Sequence, residues 1–116
     1  MSQHDRLVAL RHMLDHAREA VELVRGRSRT DLDTDRLLQL ALTRLVEIVG
    51  EAASRVPAEL QDRHPGLPWR EAIGARNRLI HNYDSVDLDI LWEIAATDLP
   101  QLIPRIEQVL ELEAPQ

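Results

Sequence analysis

The 116 residues include no cysteine, no lysine and no phenylalanine, and Tyr83 is the only tyrosine. Without cysteine there is neither a disulfide scaffold nor a thiolate metal site, which fits a reducing compartment such as the cytoplasm. Without phenylalanine, a core has to be assembled from Leu, Ile, Val and Ala at helical spacing. There is also no unbroken apolar run. The polar start Met1-Ser2-Gln3-His4-Asp5-Arg6 leads into an interrupted stripe, so neither a signal peptide nor a membrane span is expected. A formal net charge of −6 argues against binding nucleic acid by overall attraction; any such contact must be local, and DNA is not an expected partner. All 14 cationic residues are arginines, which suits bidentate pairing with carboxylates or phosphates and equally follows from a GC-rich genome.

This length allows one domain with one core. From about Asp5 to Arg25, Leu7, Leu10, Leu14, Ala17, Val21 and Val24 recur every three or four residues, the face of a first helix. His12, His16 and Glu19 share another stripe, but without a further ligand no metal is assigned to them. Gly26 to Thr30 breaks the pattern, and Asp31, Asp33, Thr34 and Asp35 offer caps for a second helix that runs to about Val56. Its stripe of Leu38, Ala41, Leu42, Leu45, Ile48, Val49, Ala52 and Val56 is broad enough for several neighbours, which makes it the central element. Gly50 within it suggests close approach of another backbone, or else a tolerated surface glycine.

Pro57 ends that helix, and a short helical turn precedes a loop at His64-Pro65-Gly66. A third helix is expected from Pro68 or Trp69 to about Asn82, with Trp69, Ile73, Ile80 and Tyr83 inward. Asp84-Ser85-Val86-Asp87 supplies caps for a fourth, carrying Leu88, Leu91, Ile94, Ala95 and Leu99. Pro100 and Pro104 interrupt or kink the last segment, which runs to about Glu113. The expected fold is an all-α antiparallel bundle of four to five helices in a single domain over 1–116, with 1–4 and 113–116 frayed.

Within the third helix, Arg76-Asn77-Arg78-Leu79-Ile80-His81-Asn82-Tyr83 packs two arginines, a histidine, two amides and the tyrosine into eight residues. Histidine exchanges a proton near neutral pH, and arginine holds a phosphate through paired donors. Together they meet the needs of metal-free RNA cleavage by the ribose 2′-hydroxyl. At about 100° per residue, however, a regular helix would turn His81 roughly 140° away from Arg76. Either the helix unwinds near His81, or a second copy completes the cleft across a two-fold axis. Asn77 could orient the imidazole, and Glu51 could orient an arginine of the motif or simply face solvent. A capped, solvated helix end is the competing reading of the same residues.

The octet resembles the Arg-x4-His-x-Tyr signature of the HepT-like HEPN ribonucleases, toxin components of prokaryotic toxin–antitoxin pairs. Ile48-Val49-Gly50-Glu51-Ala52-Ala53, Pro68-Trp69 and the run from Val86-Asp87 through Trp92 to Asp98-Leu99-Pro100 are similar to further family segments in order and spacing. The resemblance implies a HEPN-like bundle and a metal-independent endoribonuclease without cofactor, acting as a homodimer with Arg76 and His81 catalytic. It further implies Asn77 in support and Tyr83 as the residue that an MntA-type nucleotidyltransferase antitoxin modifies with AMP; Arg78, beside Arg76, is a candidate RNA contact. The alternative is a non-catalytic helical module that binds a nucleotidyltransferase or a nucleotide.

Overall fold

The computed structural model describes residues 3–82 and 85–115, with side chains for 6–80 and 85–115. At its centre lies α3 (Arg36–Arg55), which packs against α1 (Gln3–Val24) on one side and α5 (Trp69–Leu79) on the other. Its amino end is set by Asp35, whose Oδ1 accepts from the Leu38 amide at 3.0 Å and so answers one of the donors a first turn leaves unpaired. Leu38, Leu42, Leu45, Val49, Ala52 and Val56 are buried as their spacing requires, and Val46 and Ala53 join them; Ala41, expected inside, is exposed. The stripe is therefore wide enough to serve several neighbours.

On α1, Leu7, Leu10, Leu14, Ala17 and Val24 are buried together with Met13 and Ala20, and the helix also packs against α7 (Leu99–Glu113). Gly26 then takes a positive φ of 74°, a conformation in which a side chain would be strained. Between Gly26 and α3 the chain forms a short α2 (Arg29–Thr34), opened where the Ser28 amide donates to Asp31 Oδ2 at 2.8 Å and anchored by the fully buried Leu32. Thus the acidic cluster expected to cap one helix serves two. After α3 comes α4 (Ala58–Arg63), then a loop pinned by Trp69 Nε1, which donates to the His64 carbonyl at 2.9 Å, and by Arg105 Nη1, which donates to the Gly66 carbonyl at 2.6 Å.

Two departures from the expected course concern α5. The helix ends at Leu79 rather than near Asn82, and the chain continues as β1 (Ile80–Asn82), paired antiparallel with β2 (Ser85–Val86) through Ile80 opposite Val86 and Asn82 opposite Ser85. Two β-branched residues face each other in that pair, and the Asp87 amide donates to the Leu79 carbonyl at 2.8 Å, a carbonyl the helix itself would leave unanswered. Ile73, expected inward, is 38% exposed; Trp69, Ala75 and Leu79 form the buried side. Tyr83 and Asp84 lie outside the described residues.

Asp87 caps α6 (Leu88–Glu93), accepting from the Asp89 and Ile90 amides. The helix then widens into one π turn (Ile94–Asp98) and resumes as α7 without a break. Proline has no amide to donate and its ring crowds the carbonyl four residues earlier, so Pro100 would interrupt a regular α-helix; the wide turn immediately before it relieves that conflict. Pro104 is likewise carried inside α7. Glu113, expected at a fraying end, is instead buried in a charged cluster. Among the described residues the architecture is an all-α bundle with one small hairpin, and no helix is long and apolar enough to cross a membrane.

Candidate active site

The register between α3 and α5 is set by Gly50. A Cβ there would lie 3.0 Å from the Ala72 carbonyl oxygen, so the two backbones touch as the sequence suggested. One turn back along α3 from Gly50 is Glu47, and one turn forward along α5 from Ala72 is Arg76. In an antiparallel pair these two positions meet. Glu47 Oε2 accepts from Arg76 Nε at 3.0 Å, with the carboxylate side chain 23% exposed and the arginine 55%.

The contact uses only the inner edge of the guanidinium. Among the described residues, no partner engages the two terminal nitrogens of Arg76, which therefore remain available as the planar fork that a phosphate accepts. Among the described residues Glu51 pairs with Arg44 at 3.1 Å, and the carboxylate on Arg76 is Glu47. Sequence reasoning missed Glu47. The signal was present in Gly50, because a backbone contact at that residue places its neighbour one turn earlier, not the adjacent one, opposite the motif.

Asn77 is exposed on α5. Arg78, two residues beyond Arg76 and so about 200° around the helix, points to the other flank. There Nη2 donates to Asp98 Oδ2 of the π turn at 3.3 Å, at the edge of a mostly apolar cleft of about 250 Å³ between α5 and the α6–α7 run. The structure thus does not bring Arg76 and Arg78 together. His81 belongs to β1, one residue past the first extended residue, Ile80 (φ −80°, ψ 116°). Because the helix has already ended, the angular separation of Arg76 and His81 on a continuous helix does not apply. The side chains of His81 and Asn82 lie outside the described set, as does Tyr83.

On the stripe of His12, His16 and Glu19, the His16 Nδ1–H donates to the His12 carbonyl at 2.6 Å. Among the described residues no group of three or more His, Asp or Glu is placed to hold a metal ion.

The family model described as ribonuclease HepT-like matches residues 13–109, which spans α1 to α7 and includes the whole motif. The chain belongs to the HepT-like ribonuclease family. This HepT-like chain is 36% identical over 104 residues to an RNase-named protein of Caldanaerobacter subterraneus subsp. tengcongensis, covering 90% of this chain and 93% of that one. It is 36% identical over 100 residues to the protein named Probable ribonuclease HepT of Thermococcus cleftensis, covering 83% and 91%. An RNase-named protein of Methanocaldococcus jannaschii is 30% identical over 109 residues, covering 94% of this chain and all of the relative. No solved structure matches the chain. The placement of Arg76 at the end of α5, edge-held by Glu47 and open outward, is the local geometry of this HepT-like chain that bears on phosphate chemistry.

Proposed function

We propose that the protein is a metal-independent endoribonuclease, the toxin of a toxin–antitoxin pair, in which Arg76 and His81 carry the reaction. The observation that carries this reading is the open fork of Arg76 beside a helix end that releases His81 from the α-helical course. In the reaction, the His81 imidazole takes the proton of the ribose 2′-hydroxyl and the oxygen attacks the adjacent phosphorus. The bond to the 5′-oxygen breaks, that oxygen takes up a proton, and a 2′,3′-cyclic phosphate and a 5′-hydroxyl remain. Arg76 offers its terminal nitrogens to the phosphate oxygens as charge builds on them. Asn77, exposed one turn before His81, is the supporting amide.

The protein acts in the cytoplasm as a homodimer that sets two such helix ends around one cleft, which concentrates positive charge in a chain of net charge −6. An MntA-type nucleotidyltransferase antitoxin transfers AMP from ATP to the Tyr83 hydroxyl oxygen, which loses its proton as pyrophosphate leaves; the added phosphate and adenine place negative charge and bulk beside the RNA site. The test is expression of wild type, Arg76→Ala and His81→Ala. Growth arrest and RNA cleavage are expected from the wild type alone, with all three proteins folded and equally dimeric by sedimentation. Equal toxicity of the three would overturn the assignment. Co-expression with a cognate nucleotidyltransferase should add the mass of one AMP, and the addition should vanish in Tyr83→Phe.

A further inference from the structure

A groove of about 590 Å³ runs along α3 beside β2 and ends at the candidate active site. Its floor is one face of α3, on which Arg36, Leu40, Thr43, Arg44 and Glu47 recur at roughly helical spacing. From Arg36 to Glu47 this face extends about 16 Å at 1.5 Å per residue. Glu47 is the carboxylate that holds Arg76, so the groove opens onto the Arg76 guanidinium at one end. We propose that this groove is the track for the single-stranded RNA that enters the active site, with Arg36 and Arg44 binding its phosphates.

The inference rests on the ribonuclease reading and specifies how the substrate is held. Both arginines are exposed. Among the described residues Arg36 meets no carboxylate, its Nη1 donating to Gln39 Oε1 at 3.2 Å, while Arg44 meets Glu51 through Nη1 alone. Each therefore keeps donors for a phosphate, and with Arg76 they form a row of three cations leading along α3 and onto α5. Between them Leu40, Val86 and Leu88 offer aliphatic surface to the bases. Gln39, Thr43 and Ser85 also line the groove and add hydrogen-bonding groups beside the phosphate-binding arginines. A protein partner is the less favoured occupant, because two exposed arginines in the lining, with Arg76 beyond Glu47, match a polyanion better than an apolar helix.

The test uses the full-length chain. Cleavage of a single-stranded oligoribonucleotide is compared for wild type, Arg36→Gln/Arg44→Gln and Arg36→Lys/Arg44→Lys. Binding to uncut RNA is followed by fluorescence anisotropy from 50 to 300 mM salt, each pair being carried in a His81→Ala background. The glutamine pair is expected to raise KM about tenfold with most of kcat retained. Its slope of log K against log salt should become shallower by about 1.4, two phosphates at roughly 0.7 each. The lysine pair should recover most of the slope. If wild type cuts RNA and the glutamine pair has the same KM and slope, the track is wrong and the ribonuclease reading stands. If wild type neither binds nor cuts RNA, both fall. If the glutamine pair changes the sedimentation of the protein, the groove is an interface between copies and the track is overturned.

Discussion

Arg76 is a long side chain with many rotamers, and an arginine that must meet a phosphate in one orientation gains from having one edge tethered beforehand. Glu47 supplies that tether at 3.0 Å from Nε and leaves the other edge outward. As a partly exposed ion pair it contributes about 0–1 kcal/mol to stability, so its value lies in positioning rather than in holding the fold. Glu47→Ala is therefore expected to lower kcat/KM on RNA about tenfold or more with the melting temperature changed by a few degrees at most. Glu47→Gln, which keeps an oxygen to accept from Nε, should retain more activity than the alanine variant. An increase in activity for both would mean that Glu47 only competes with phosphate. The motif itself was legible in the sequence because arginine, histidine and tyrosine at fixed spacing stand out from an aliphatic helix. Glu47 was not, since a glutamate on an amphipathic helix looks like any solvated carboxylate until the partner helix is in register.

Helix periodicity exposed α1, α3 and the α6–α7 run because each buries an aliphatic face continuous over several turns, and periodicity is a property of the local chain. The end of α5 was hidden for the opposite reason. Arg76 to His81 contains no proline or glycine, and what stops the helix is pairing of Ile80 with Val86 and the bond from the Asp87 amide to Leu79, both supplied by residues further along the chain. The π turn before Pro100 was hidden too; the proline announced a conflict with the helix, and packing selected how it is relieved. Gly50 makes a sharper claim at this scale. Valine at that position would drive methyl groups into the backbone of Ala72 and Ile73, where no flexible side chain can yield. Gly50→Val should cost about 1–3 kcal/mol by denaturant unfolding and should displace α5, so that activity falls further than in Glu47→Ala. Serine there, nearer in size to the glycine, should be milder in both measurements. A valine variant with wild-type stability and activity would show that the two backbones are less closely packed than a 3.0 Å approach implies.

Across the whole molecule, the ends of the chain are joined by charge rather than by aliphatic packing alone. Glu113 at the end of α7 accepts from Arg63 at 2.7 and 2.9 Å, lies 2.7 Å from His64 Nε2 and receives Arg6 of α1 at 3.4 Å, while Arg6 also reaches Glu59 of α4. The hydrogen bond with His64, followed by those with Arg63 and Arg6, holds the Glu113 carboxyl below the usual carboxylate range against the opposing effect of burial. A carboxyl whose folded pKa is depressed stabilises the protein above its unfolded pKa, and that contribution is lost as the pH falls through the folded pKa. Acid should therefore weaken the tie between α1, α4 and α7 in the window below the usual carboxylate range. Glu113→Gln removes the titrating group and takes from Arg6 and Arg63 the carboxylate charge they share. It should be less stable than wild type at neutral pH and lose stability less steeply in acid, so that the two unfolding curves converge as wild-type Glu113 protonates. Parallel stability profiles from neutral pH down to strong acid would mean that the cluster contributes nothing specific to the fold. Because the candidate active site sits at the carboxyl end of α5 and not in this cluster, the Glu113→Gln protein should still cleave RNA at neutral pH wherever it remains folded.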